Sequence, residues 1–168
     1  MVNMTTLDKS AIWKILERVC DPEIPVITIA DLGVLRDVIV HENGEVEVVI
    51  TPTYSGCPAM NMIAVEIRLA LKAEGIEKVK ITTQLSPAWT TDWFSEEGKQ
   101  KLKAYGIAPP VNSSPHVLQL FGQETGIQCP QCGSTHTQLL SQFGSTSCKA
   151  LYQCQDCREP FDYFKCHR

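Results

Sequence analysis

Features that would indicate a membrane, an export route or nucleic acid are missing from this sequence. No apolar run approaches the roughly 18 residues that a membrane helix needs, so we expect no membrane partner. The first ten residues, MVNMTTLDKS, lack the basic start and apolar core of a signal peptide, which predicts a cytoplasmic location. Residues 1–128 carry a charge balance of −5 and residues 129–168 a balance of +1. Without a basic patch, we expect no nucleic-acid partner.

The elements that are present predict an α+β fold. Apolar residues at helical spacing predict a first helix, which Thr6 or Asp8 could cap and which the two prolines of DPEIP end. Two β-rich runs then flank Asn43-Gly44, which predicts a hairpin with a tight type I′ turn. A second helix is predicted from CPAM to Gly75, followed by the strand KVKITTQL and a short helix in SEEGKQKLKAYG. This order indicates a small mixed sheet packed with helices.

The chain is predicted to have two domains joined by a linker. Residues 1–107 form the α+β domain, the proline-containing residues 108–127 form the linker, and residues 128–168 form a zinc-ribbon-like domain. About 40 residues bury too little surface to be stable alone, so the last domain needs a metal or another cross-link. We expect its aromatic residues Phe161, Tyr163 and Phe164 to pack over that cross-link or against the first domain.

Four cysteines near the end form two Cys-x-x-Cys pairs. The pair Cys129 and Cys132 is separated by 21 residues from the pair Cys154 and Cys157. Each pair can turn two thiolates toward one ion, and four thiolates at tetrahedral corners suit a structural zinc. A rubredoxin-like iron or an iron–sulfur cluster uses the same ligands and stays an alternative.

The other cysteines outside these pairs have weaker signals. Packing is the ordinary role of a free cysteine, and we assign it to Cys148, while Cys166 beside His167 could also hold a second metal transiently. We expect Cys20 to be at least half-buried and inert. His136 is expected to be only a surface residue or a hydrogen-bonding one.

Cys57 follows Gly56 and precedes Pro58 at the predicted start of the second helix. The positive end of a helix favours a thiolate, which would be nucleophilic and would bind metal. The DPEIP loop supplies Asp21 and Glu23, whose carboxylates can help to bind a cation but raise the pKa of a neighbouring thiol when none is present. Alternatively, Cys57 is a small buried residue and the carboxylates only cap backbone amides. Both interpretations are open at this point.

Several stretches resemble a known family. DPEIPVITIADLGVLRDV, TPTYSGCPAMNMI and SPAWTTDWFSEEGKQKLKAYGIAPP resemble the SufT/PaaD-type domain of iron–sulfur assembly proteins. The ending FGSTSCKALYQCQDCREPFDYFKC is similar to the cysteine-rich tail of the PaaD family of phenylacetate degradation. The resemblance extends over roughly residues 8–166.

The resemblance implies an accessory role in a phenylacetyl-CoA epoxidase system. Such a protein assists iron or iron–sulfur cluster assembly or insertion, and its partners are the oxygenase and reductase subunits. The family's reactive cysteine falls on Cys57 and its acidic loop on Asp21 and Glu23, which implies a transiently held iron or cluster. The resemblance also implies zinc in the tail, and domains of this kind can form homodimers.

Two other functions compete with maturation. The chain could be a non-catalytic scaffold subunit of the epoxidase complex. It could instead act directly in the oxygenase, but it lacks the pair of Glu-x-x-His motifs that di-iron sites use and a Gly-rich dinucleotide fingerprint. We therefore expect that the chain is not itself catalytic.

Overall fold

The computed structural model of the chain describes residues 8–111 and 126–165. The chain divides into two compact units, with the boundary between Trp89 and Thr90. Within the described ranges, no helix has both the length and the apolar character needed to cross a membrane.

The first unit contains two helices and a three-stranded sheet. Its elements are α1 (Lys9–Leu16), β1 (Leu35–Val40), β2 (Val46–Ile50), α2 (Ala59–Ala73) and β3 (Val79–Thr83). The strand order is β1-β2-β3, with β1 antiparallel and β3 parallel to β2. The Asp8 carboxylate caps α1 by accepting a hydrogen bond from the Ser10 N–H at 3.3 Å. The predicted α+β fold with a mixed sheet is confirmed.

An aliphatic core holds the first unit together. Helix α2 buries Ile63, Ile67 and Leu71, which are four residues apart and lie on one face. Helix α1 contributes Ile12 and Leu16 to the same core. Burying each such side chain stabilises the fold by about 1.5–3 kcal/mol. This packing fixes the end of β2 and the start of α2, so the loop 51–58 between them is held at both ends.

The turn between β1 and β2 differs from the prediction. Gly44 has a φ of +78°, but Asn43 does not have the positive φ that a type I′ turn requires at both central positions. The Gly44 N–H donates to the His41 carbonyl, and the His41 N–H donates to the Glu45 carbonyl, both at 2.9 Å. The predicted type I′ turn is therefore wrong, although the hairpin is confirmed. The loop has one residue more than a type I′ turn, so the chain reverses in an ordinary turn and Gly44, with its positive φ, follows that turn.

The second unit contains one helix and a four-stranded sheet. Its elements are α3 (Glu96–Tyr105), β4 (Ile107–Ala108), β5 (Thr137–Ser141), β6 (Lys149–Cys154) and β7 (Pro160–Phe164). The strand order is β4-β7-β6-β5, with β4 parallel to β7 and the other pairs antiparallel. Ser95 caps α3, and Gly106 ends it with a φ of +94°, as the sequence predicts.

The unit boundary lies earlier than the domain boundary predicted at residue 107. Helix α3 and β4 belong to the second unit because Ile107 pairs with Asp162 and Ala108 with Tyr163 on β7. Ile127, at the other end of the predicted linker, is also buried in the core of this unit. Residues 112–125 of that linker lie outside the described residues.

Aromatic side chains form the centre of the second unit. Tyr152 stacks on Phe161 with ring centroids 6.0 Å apart and meets Tyr163 edge-on at 5.7 Å. Cys129 and Cys154 are buried in the same cluster. The expected packing of the EPFDYF aromatics is therefore found, and this stretch also forms a strand, β7, that the sequence pattern did not predict.

Candidate functional site

The two Cys-x-x-Cys pairs converge on one point. The four Sγ atoms all lie within 4.8 Å of one another, with 3.7 Å between Cys129 and Cys157 and 3.5 Å between Cys132 and Cys154. A zinc ion bonded to four sulfurs at about 2.3 Å separates those sulfurs by about 3.8 Å in a tetrahedron. The thiols therefore lie close to the arrangement that a tetrahedral ion requires.

Two backbone turns of the same design hold the cysteines in place. In the first, the Cys129 N–H donates to the Ser134 carbonyl at 2.8 Å, and Gly133 takes a left-handed φ of +77°. In the second, the Cys154 N–H donates to the Glu159 carbonyl at 3.0 Å, and Arg158 takes a φ of +67°. Each turn directs both sulfurs of its pair to one side.

The protonation of the four thiols is strongly interdependent. The backbone N–H of Cys157, together with that of Asp156, lowers the pKa of Cys154 to about 7 despite its burial. The Glu159 N–H acts to lower the pKa of Cys157, but burial and the neighbouring thiols raise it to about 12. Thiols this close cannot all be ionised unless a cation balances their charge. Metal binding at this group must therefore release protons.

The cysteines outside the four-sulfur group have separate surroundings. Cys148 is buried just before β6, with its Sγ 3.0 Å from the Thr146 hydroxyl. Cys166 and His167 lie outside the described residues. Cys20 is exposed, so the expectation that it is at least half-buried is wrong. Because α1 ends at Leu16, Cys20 lies beyond the helix in an isolated bridge with Thr28.

Cys57 lies in the loop between β2 and α2 and is half-buried. Its N–H donates to the Tyr54 carbonyl and its own carbonyl accepts the Met60 N–H, both at 3.3 Å. Gly56 has a φ of +83°, a conformation that strains other residues, so the sharp turn before the cysteine needs this glycine. Pro58 is the N-cap residue of α2, so the thiol lies just before the first turn of the helix.

The surroundings of Cys57 oppose the thiolate that the positive end of a helix favours. Burial raises the pKa of this thiol, and a hydrogen bond from the Ala59 N–H only partly opposes that rise. The negative charge of Glu23 raises the pKa further, the Tyr54 hydroxyl lowers it, and the charge of Asp21 raises it. The result is a neutral thiol at neutral pH, because burial and two carboxylates outweigh one amide and one hydroxyl.

Asp21, in the DPEIP loop, has a structural role. Asp21 is buried, and its Oδ1 accepts the N–H groups of Glu23 at 2.8 Å and Ile24 at 2.9 Å. Glu23 is exposed, so its side chain faces solvent. The capping alternative thus holds for Asp21, yet the charges of both carboxylates act on Cys57. That Asp21 and Glu23 form one metal site with Cys57 stays a prediction.

Two residues of the same loop were not identified from the sequence. Tyr54 forms a hydrogen bond with the Cys57 thiol through its side chain. Thr51 is 1% exposed, and its hydroxyl has no hydrogen-bond partner among the residues that the structure describes. Both occur in the TPTYSGC stretch, but the sequence does not reveal which hydroxyl of a loop turns toward the thiol.

Comparisons with protein-family models identify both parts of the chain. Residues 9–83 match the family described as iron–sulfur cluster assembly protein. Residues 113–165 match the family described as PaaD zinc beta ribbon domain. The candidate thiol and the four-cysteine group therefore lie in two different family matches.

Individual relatives agree with these matches. An Escherichia coli (strain K12) protein, provisionally named as one of the subunits of 1,2-phenylacetyl-CoA epoxidase, is 50% identical over 155 residues, which cover 92% of this chain and 91% of that protein. A Porphyromonas gingivalis Fe-S protein maturation auxiliary factor is 38% identical over 92 residues, which cover 54% of this chain and 87% of that factor. The crystal structure of a Bacillus anthracis domain of unknown function matches with a TM-score of 0.52 and 27% identity, covering 56% of this chain and 90% of that one.

Proposed function

This chain belongs to the PaaD family, and from that premise we propose that it is an accessory maturation protein of a phenylacetyl-CoA epoxidase system. It assists the assembly or insertion of iron or an iron–sulfur cluster in the oxygenase or reductase subunits, in the cytoplasm. The name of the Escherichia coli relative and the maturation role of the Porphyromonas gingivalis factor support this proposal.

The observation that carries the proposal is a half-buried thiol, Cys57, on which two carboxylates act. As a neutral thiol it binds metal weakly. An incoming iron ion displaces the thiol proton to solvent, and the charges of Asp21 and Glu23 that disfavour the bare thiolate then favour the bound cation. When the cargo leaves, the proton returns and the affinity falls again. Such a site suits brief holding and release.

The four-cysteine group has a different task in this proposal. Its sulfurs would hold a structural zinc ion, which cross-links the two halves of the second unit. The ligands would be Cys129, Cys132, Cys154 and Cys157.

The test is complementation of a strain that lacks its own copy of this gene. We expect Cys57→Ala to leave epoxidase activity and the iron content of the purified oxygenase near the level of the empty strain. Cys20→Ala is the matched control, because it removes an exposed thiol from the same unit and should restore both. Full restoration by Cys57→Ala would contradict the proposal.

The scaffold function is the competing outcome of this experiment. The raised pKa of Cys57 and the capping role of Asp21 also suit a thiol that only packs. A scaffold predicts that Cys57→Ala restores activity and still purifies with the oxygenase and reductase subunits. Maturation predicts that the variant still purifies with its client, which then lacks iron. Sedimentation of the same preparations tests the predicted homodimer.

A further inference from the structure

Three polar side chains connect the two cysteine turns on the outside of the sulfur group. The hydroxyl of Ser134 donates to Oδ2 of Asp156, and Nδ1 of His136 lies 3.1 Å from Oδ1 of the same carboxylate. The His136 N–H also donates to the Ser134 Oγ at 3.0 Å. Ser134 follows the first cysteine pair and Asp156 lies inside the second, 22 residues further along the chain. We call the three side chains of Ser134, His136 and Asp156 the knuckle bridge, because they join the two cysteine turns.

The knuckle bridge does not have the geometry of a catalytic triad. An activated serine needs a base that takes its proton, with a third group that orients the base. Here the Ser134 hydroxyl donates directly to the Asp156 carboxylate, and within the described ranges no hydrogen bond joins that hydroxyl to the imidazole. The exposed imidazole of His136 lies beside the carboxylate instead.

Backbone amides connect the bridge to the sulfurs. The N–H of Ser134 is hydrogen-bonded to the thiol of Cys132, and the N–H of Asp156 to that of Cys154. The side-chain bond between Ser134 and Asp156 therefore ties together two amides that serve sulfurs of different pairs. Those two sulfurs are 3.5 Å apart, close to the spacing that a tetrahedral ion requires.

We propose that Ser134, His136 and Asp156 are positioning residues that hold the two cysteine pairs at metal-binding distance in the folded second unit, and so favour the metal-bound state. Without the bridge, metal binding must itself bring the two turns together, and the ordering cost lowers the affinity. This inference concerns the four-cysteine group alone and does not depend on the proposed maturation role.

The test measures zinc affinity of the full-length protein in competition with a chromogenic chelator. We expect Asp156→Asn to bind zinc about tenfold more weakly, at the low end for outer partners of metal ligands because these side chains are exposed. Ser134→Ala, which removes the hydroxyl that donates to Asp156 and accepts the His136 N–H, should lose on the order of threefold. The double variant should lose less than the product of the two, because both changes act on the same hydrogen bond between Ser134 and Asp156.

Glu159→Gln is the control, because it removes the same charge from an exposed side chain near the same cysteines, outside the bridge. It should retain the affinity of the unaltered protein. Cobalt(II) is the second probe, and its ligand-field bands should be the same in all variants, since the four sulfurs are unchanged. The proposal is overturned if Asp156→Asn and Ser134→Ala both bind zinc as the control does. It is also overturned if their cobalt bands change, which would mean that a ligand has been lost.

Discussion

Cys57 in the first unit and Cys154 in the second both accept hydrogen bonds from backbone amides, but their acidities move in opposite directions. Amides of the second cysteine turn lower the pKa of Cys154 to about 7. At Cys57, burial outweighs the Ala59 amide, and the charges of Glu23 and Asp21 add to the rise of the pKa. An amide at a turn therefore does not by itself make a thiolate, because burial of the sulfur and, to a smaller extent, the carboxylates near it can raise the pKa by more than the amide lowers it.

The two units also differ in what holds them together. The first has an aliphatic core in which both helices bury residues against the sheet. The second has a smaller aromatic cluster that includes Cys129 and Cys154. We infer that the first unit folds through apolar burial, whereas the second depends on a metal at its cysteines.

Metal removal should give the largest difference between the units. A structural zinc bound by four cysteines contributes about 10–16 kcal/mol in small domains, so chelation or Cys154→Ser should unfold the second unit only. Hydrogen exchange followed by mass spectrometry should show lost protection over residues 137–164 and retained protection over residues 35–83. Cys20→Ser, which changes an exposed thiol, should alter neither region. If β5 to β7 kept their protection from hydrogen exchange after complete metal loss, the second unit would not depend on metal and this prediction would be refuted.

A core substitution should have the converse effect. Leu71 is completely buried on α2, so Leu71→Ala should lower the free energy of unfolding of the first unit by about 2–5 kcal/mol, measured by urea denaturation. Zinc content should remain that of the unaltered protein. Leu69→Ala on the same helix is the control, because Leu69 is 55% exposed and its loss should cost less than about 0.5 kcal/mol. Zinc loss from Leu71→Ala would show that the units do not fold independently.

The smallest expected effect is on the reactivity of Cys57. A thiol with a raised pKa stays protonated at neutral pH, so its alkylation by iodoacetamide should be slow at pH 7. The alkylation rate should keep rising with pH beyond the ordinary pKa of a cysteine, because the thiolate forms only there. Glu23→Gln removes one charge that raises this pKa and should speed alkylation at pH 8, on the order of two- to fivefold. Peptide mass spectrometry measures the rate at this cysteine.

Glu17→Gln provides the control for that experiment, because Glu17 is exposed on the first unit and its charge is not among those that act on Cys57. It should leave the alkylation rate unchanged. Equal rates for Glu23→Gln and the unaltered protein would mean that the acidic loop does not influence the thiol. The carboxylates would then have no part in the proposed iron site.

Local patterns predicted much of this structure. The apolar spacing on α2, the cap at Ser95 and the glycine at position 106 indicated helices that the structure contains. The spacing of the cysteine pairs indicated a group whose sulfurs do converge. Strands β4 and β7 were missed, because a two-residue strand has no pattern of its own and an aromatic run also suits simple packing.

The sequence by itself determined the order of most helices and strands and the identity of the four converging cysteines. These follow from residue spacings of one turn or one hairpin, and such spacings are local. Only the tertiary structure decided that α3 lies in the second unit, that Cys20 is exposed and that Cys57 is a neutral thiol. Unit membership depends on pairing between distant strands, and the charge of a thiol depends on burial and on carboxylates brought near it by the fold.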